Sequence, residues 1–330
     1  MMTKYSRQRN IVIDSEVPLF CSLVDYRNNY FTSNDPDKII EFYNSFENRD
    51  QLIQWMKERP KGIANIHEVD GDKDVIVVIT TADFDGKYAK ECRENIFKGL
   101  HMVFVESGEI SNSYFNYAHN MNVGISRAME YNPRWIVISN DDMYKIDDVS
   151  ILKSQLEKID PDKFYMVLSG ETHYHTVKSR FSSPRFIRSY FSLINFIRNH
   201  RKEGRFWKII SMKSSQKNLE KKFSCFYVPN DPKGLSKYIY KKGFNYRCFM
   251  DFGIFSASYV KSLSYKLFDE SFINAYEDHD ISLKFYLQHL NYAVINYRIG
   301  DYIGSSLGTG IPRELRNIAS LSYLNYKFEK

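Results

Sequence analysis

Apolar residues in this chain gather into short unbroken runs, with stretches of helical spacing between them. Val75 to Thr80, Met102 to Val105 and Trp135 to Ser139 are rich in β-branched residues, the pattern of strands covered on both faces. Gly86 to Lys98 sets Tyr88, Ala89, Cys92 and Ile96 on one helical face with Gly99 as its stop, and Asn116 to Tyr131 is helical in places. Strands and helices alternating at this spacing predict βαβ units with right-handed crossovers. Phe164 to Leu168, Met250 to Ser256 and Tyr292 to Asn296 predict further strands. Asp280 to Leu290 reads as an amphipathic helix, with Leu283, Tyr286, Leu287 and Leu290 at helical spacing and Asn291 at its stop. The expected fold is α/β: a Rossmann-type mixed, mainly parallel sheet flanked by helices.

Residues 1–70 stand ahead of this pattern as an N-terminal extension. They hold a weak strand candidate at Ile11-Val12-Ile13 and one helix from about Asp37 to Glu58, opened by Asn34-Asp35-Pro36 and closed by Pro60 and Gly62. Asp70-Gly71-Asp72 forms a turn before the main pattern. Residues 176–245 separate the fourth strand from the later ones as an insertion, and 311–330 read as a C-terminal tail.

Composition changes this picture little: at 330 residues, 43% hydrophobic and 26% charged, the chain can bury a sizeable core. Cys21, Cys92, Cys225 and Cys248 are scattered without a CxxC pair, which argues against a zinc ribbon or disulfide scaffold and fits a reducing compartment. The polar, basic start has no apolar segment behind it, and no apolar run approaches the roughly 18 residues of a membrane span. A cytoplasmic protein is expected, at most peripheral on the inner membrane face.

Charge is more informative. Thr176 to Lys222 carries thirteen Lys and Arg against two acids, whereas the whole chain is only +6, so a basic segment sits on an acidic body. Within it Arg185, Arg188, Arg198, Arg201, Lys202, Arg205 and Lys208 alternate with aromatic and aliphatic residues. Such a surface suits anionic headgroups or a lipid-diphosphate, through about residues 180–222, and equally an ordinary helical hairpin with a solvated face. Nucleic acid is not expected, because the acidic clusters elsewhere would repel it.

Those clusters carry the candidate chemistry. The run Trp135 to Ser139 ends in Asn140-Asp141-Asp142, and ligands of open α/β sheets collect where such strands end. Adjacent carboxylates repel unless a cation or donor satisfies them, and a hard divalent ion prefers oxygen ligands. The motif suits a metal-bound diphosphate, and taken alone it suits an Asp-rich turn as well. Phe268-Asp269-Glu270 precedes a second cluster, Glu277-Asp278-His279-Asp280, at the start of the amphipathic helix. The helix dipole and capping account for Asp280 but less well for Glu277 and Asp278, which precede the expected helix. His173-Tyr174-His175 reads as a surface pair without a third ligand. Gly304 to Gly310 reads as a flexible loop without a phosphate-loop pattern.

In order and spacing these motifs resemble family 2 glycosyltransferases of the GT-A fold. The resemblance rests on Thr80-Thr81-Ala82-Asp83, Val105-Glu106-Ser107-Gly108, Asn122-Val123-Gly124-Ile125, Asn140-Asp141-Asp142, Phe268-Asp269-Glu270 and Glu277-Asp278-His279-Asp280. It covers roughly residues 73–170 and 248–308. It implies a nucleotide-sugar-binding half over 71–175 and an acceptor-side half over 246–310. Thr81, Ala82, Asp83, Glu106 and Asn122 would face the nucleotide donor, with Asn140 and Asp141 near the ribose. Asp142 would bind Mn²⁺ or Mg²⁺. Asp301 stands where many members carry a His and would be an oxygen ligand in its stead. Asp278 would be the general base, with Glu277 beside it. The implied activity is metal-dependent, inverting transfer of a sugar from a nucleotide-diphosphate donor to a glycan or lipid-linked hydroxyl. Its rivals are a nucleotidyltransferase of similar fold, disfavoured by Asp83 and Asp85 in the first loop, and a non-catalytic nucleotide-sugar or membrane-binding module.

Overall fold

The structure is a computed structural model that describes residues 26–108, 114–170, 173–179, 206–225, 244–302 and 310–328. The strand candidate at 11–13, the basic residues 180–205 and the loop 303–309 lie outside the described residues. Seven strands form one sheet: β1 (Asn65–Val69), β2 (Asp72–Thr81), β3 (Leu100–Glu106), β4 (Trp135–Asn140), β6 (Met166–Ser169), β9 (Phe252–Ser256) and β10 (Tyr292–Ile295). Their order is β1-β3-β2-β4-β9-β6-β10. The pairs β3–β2, β2–β4 and β6–β10 are parallel, whereas β1 runs against β3, and β9 runs against both β4 and β6. The sheet is thus mixed α/β and mainly parallel, with two reversed strands. Two ribbons stand beside it: β5 (Met143–Lys145) with β11 (Ile299–Asp301), and β7 (Tyr174–Ser179) with β8 (Phe244–Phe249).

Val75, Val77 and Ile79 point to one face of β2, Ile76 and Val78 to the other, and all are buried. That two-sided burial is why the strand reads as an unbroken apolar run. Each fully buried Val, Ile or Phe contributes about 1.5–3 kcal/mol. On one face lies helix α4 (Tyr117–Met129), continuous and opened by Asn116, whose side chain accepts from the His119 amide at 2.8 Å. It lies very close to the sheet. A Cβ on Gly124 would stand 2.4 Å from a Val78 methyl and 2.6 Å from a Val105 methyl, so only glycine fits there. The other face is covered by α3 (Lys87–Glu91), which continues as a π-helical turn through Cys92–Ile96, and by α5 (Val149–Leu156).

Several expectations change. The single helix over 37–58 is two, α1 (Pro36–Asn44) and α2 (Arg49–Glu58), because Asn48 opens a new helix by accepting from the Gln51 amide. The expected extension also contains β1, whose partly exposed residues hide the period of an edge strand. Residues 311–328 are no loose tail but helix α9 (Ile311–Phe328). It packs with α1, α2 and α6 (Phe206–Lys222) into an apolar cluster around Phe42, Tyr43, Trp55, Phe223 and Leu324. In α6, Met212 and Leu219 are buried against the protein, so this part of the basic segment turns apolar residues inward. Finally, the acidic helix is α8 (Glu277–Leu287), beginning three residues earlier than expected and ending before Asn291. Its C-terminal stop falls at Gln288, followed by His289 with φ of 53°. Among the described residues no helix is long and apolar enough to cross a membrane.

Candidate active site

Parallel strands deliver their last residues to one edge of the sheet, and here β2, β3 and β4 end there with Thr81, Glu106 and Asn140. A reversed strand delivers its beginning instead. Asp251, just before β9, therefore arrives beside Asn140: the Asn140 amide donates to the Asp251 carbonyl at 3.3 Å, and Asn140 Nδ2 donates to Asp251 Oδ1 at 3.2 Å. The β5–β11 ribbon sets Asp301 opposite Met143, and the Tyr302 amide donates to the Asp142 carbonyl at 2.8 Å. Gly300 makes that ribbon possible, since a Cβ there would stand 2.0 Å from the Tyr144 ring. Helix α8 brings Asp278 in its first turn. Tyr276, its N-cap, adopts φ of 69°, a left-handed conformation costly for a bulky residue and common where function constrains the chain.

Electrostatics shows that these acids share one basin. Burial raises the Asp251 carboxyl to about 6, and the charges of Asp278, Asp301 and Asp142 push it the same way. The Tyr117 hydroxyl is raised by burial and then by Asp251, Glu277, Asp278 and Asp142. Asp142 and Asp278, from two separate elements, thus act on both side chains, and Asp301 acts on Asp251 as well. Asp141 is raised to about 6 by burial, opposed by the Thr81 hydroxyl donating at 2.6 Å and reinforced by Asp142. Glu277 is buried, its Oε1 has no hydrogen-bond partner, and burial raises it to about 8, with the Asp278 charge adding. Carboxylate oxygens are the donors that a hard divalent cation takes. Among the described residues, however, the group with ligating atoms within 4.8 Å of one another is Cys248, Asp278 and His279, and Asp142, Asp251 and Asp301 are not gathered that closely.

Around the basin the expected residues divide. Ala82 and Asp83 are exposed beside Thr81. Glu106 accepts from the Phe84 amide at 3.0 Å and faces His67 Nε2 at 2.9 Å, and these contacts hold its carboxyl below the usual range despite its partial burial. The His67 ring stacks on Phe84, centroids 4.4 Å apart, and the Arg93 guanidinium lies over the Phe84 ring, 4.7 Å from its centroid. Asn122, expected on the donor side, hydrogen-bonds the 268–270 turn. Its amide donates to the Phe268 carbonyl at 2.9 Å and to Glu270 at 3.0 Å, while its carbonyl accepts from the Phe268 amide at 3.0 Å. Asn122 therefore clamps the 268–270 turn. Asp280 is an ion-pair partner of Lys327 and Lys284, each at 2.8 Å. Lys327 also binds Asp269 at 2.7 Å. His173, expected on the surface, is buried with Nε2 at 2.5 Å from the Ile299 carbonyl, and burial lowers its pKa.

Three residues were missed. Asp251 was hidden inside a strand expected to start at Met250; an acid directly before the buried run Phe252 to Ser256 was the available signal. Tyr117 and His67 carry no local signal, since their roles depend on long-range packing. The chain matches no protein-family model, and no curated protein is significantly similar to it.

Proposed function

We propose that the protein is a metal-dependent inverting glycosyltransferase, moving a sugar from a nucleotide-diphosphate donor to a hydroxyl of a glycan or lipid-linked acceptor. The observation that carries this reading is the convergence of Asp142, Asp278 and Asp301 on Asp251, from four elements distant in sequence. The ordered acidic motifs support it. Asp142, Asp251 and Asp301 would hold Mg²⁺ or Mn²⁺, which when bound supplies positive charge for a diphosphate leaving group. Thr81, Ala82, Asp83 and Glu106 would bound the nucleoside side, with Asn140 and Asp141 near the ribose. The exposed residues Ala82 and Asp83 and the His67–Phe84 stack suit a flat base.

Asp278 would take the acceptor proton. As the acceptor oxygen bonds to the anomeric carbon, the bond to the diphosphate breaks with its electron pair, and the hydroxyl proton passes to the Asp278 carboxylate. One displacement inverts the anomeric centre. Glu277, protonated at neutral pH, is a poor base there and would instead spare Asp278 a second adjacent negative charge. Positioned proton transfer contributes roughly 10²–10⁴-fold in rate. Asp278→Asn and Asp142→Ala should therefore each lower transfer from uridine or deoxythymidine diphosphate sugars by about 100-fold or more, with the thermal transition retained. Folded variants that transfer at the wild-type rate would end this reading.

A further inference from the structure

Next to the oxygen-rich basin lies a cluster of different chemistry. Ligating atoms of Cys248, Asp278 and His279 all fall within 4.8 Å of one another. Strand β8 turns Tyr246 and Cys248 inward, and the first turn of α8 supplies the other two. Cys248 Sγ lies 3.9 Å from Asp278 Oδ2, and the Tyr246 hydroxyl fixes the His279 ring through Nδ1 at 2.5 Å. Outer contacts of this kind orient metal-binding imidazoles. One sulfur, one nitrogen and one oxygen form a set that hard cations do not favour but zinc does. Zinc bonds of about 2.0–2.3 Å would draw these atoms roughly 1 Å closer, and Asp278 and His279 are open enough to admit an ion.

We propose that Cys248, Asp278 and His279 form a second metal site, for a borderline divalent ion such as Zn²⁺, whose occupancy withdraws Asp278 from proton transfer. The inhibitory consequence rests on Asp278 being the base; the binding itself does not. On binding, the Cys248 sulfur–hydrogen bond breaks, its proton leaves to solvent, and the thiolate pair bonds to the ion.

Co²⁺ titration of the full chain tests this, because thiolate ligation gives an intense near-ultraviolet band that oxygen ligation in the acidic basin does not. About one equivalent should produce the band in the wild type. Cys248→Ser should abolish it, and His279→Ala, which leaves the buried strand intact, should weaken Co²⁺ binding at least tenfold. Absence of the band in the wild type, its persistence in folded Cys248→Ser, or unchanged affinity in His279→Ala overturns the site. In Mg²⁺-supported transfer, Zn²⁺ should inhibit the wild type, with at least tenfold more needed in His279→Ala. If no transfer occurs with any donor, the glycosyltransferase reading fails while the cobalt band still decides the metal site.

Discussion

Glu277 keeps its proton in neutral solution because its carboxyl is enclosed, unpartnered at Oε1, and next to the Asp278 charge. That has a measurable consequence for stability. Between the ordinary value of 4.5 and about 8 the unfolded chain has released this proton and the folded chain has not, so stability falls as pH rises through that window. Glu277→Gln removes the titration. It should flatten the decline between pH 5 and 8 and raise stability most at the alkaline end, by on the order of a few kcal/mol at most, read as a higher melting temperature there. A wild-type pH profile retained in the variant would show that another group is responsible. Single residues were legible in the sequence where their chemistry was local: Asp142 and Asp278 stood at the ends of recognisable runs. Asp251 was not, because nothing local says that β9 is reversed, and only a reversed strand presents the residue before it to the carboxyl edge.

Helices were legible in existence but less so in their limits and their partners. Asn48 restarts a helix inside a pattern whose apolar spacing continues past it, and the acidic start of α8 is part of the helix and not a preface to it. Helix α9 repeats Leu315, Ile318, Ala319 and Leu324 at helical spacing, yet what it does depends on partners 58 and 47 residues away. Its Lys327 joins Asp269 of the 268–270 turn to Asp280 of α8. Burial would raise Asp269, but Lys327 first, with the Ser271 amide and Tyr323, outweighs it and holds that carboxyl at about 2. Lys327→Met keeps the apolar stem and deletes the charge. Leaving the buried Asp280 and the partly exposed Asp269 short of their cation should cost roughly 3 kcal/mol, read as a lower urea midpoint at unchanged slope. A smaller change than about 1 kcal/mol would mean that Lys284 and water suffice.

At the scale of the molecule, the α/β class and the buried central strands followed from the apolar runs, because burial on both faces leaves an unmistakable trace in composition, whereas the order of the strands did not. The aromatic cluster joining α1, α2, α6 and α9 did not, since it is assembled from segments at opposite ends of the chain. If the acidic residues bind an ion as proposed, folding is tied to that binding. Asp251 and Asp141, both at about 6, take up protons as pH falls and so compete with a cation. Mn²⁺ at a hundredfold excess over its dissociation constant should stabilise the protein by about 2.7 kcal/mol at pH 7.5 and have little effect at pH 5. Equal thermal shifts at both values would rule out a carboxylate site.

The β7–β8 ribbon pairs Ser179 directly with Phe244, the spacing at which a two-residue reverse turn could close it. The ribbon alone does not need the chain between 180 and 243, but the rest of the fold does: Leu219, Phe223 and Cys225 return to the cluster of α1, α2 and α9, while the ribbon's other end runs through Cys248 to Asp251. Exchanging residues 206–225 would therefore open that cluster before it disturbed the carboxylates, so this stretch answers first to folding.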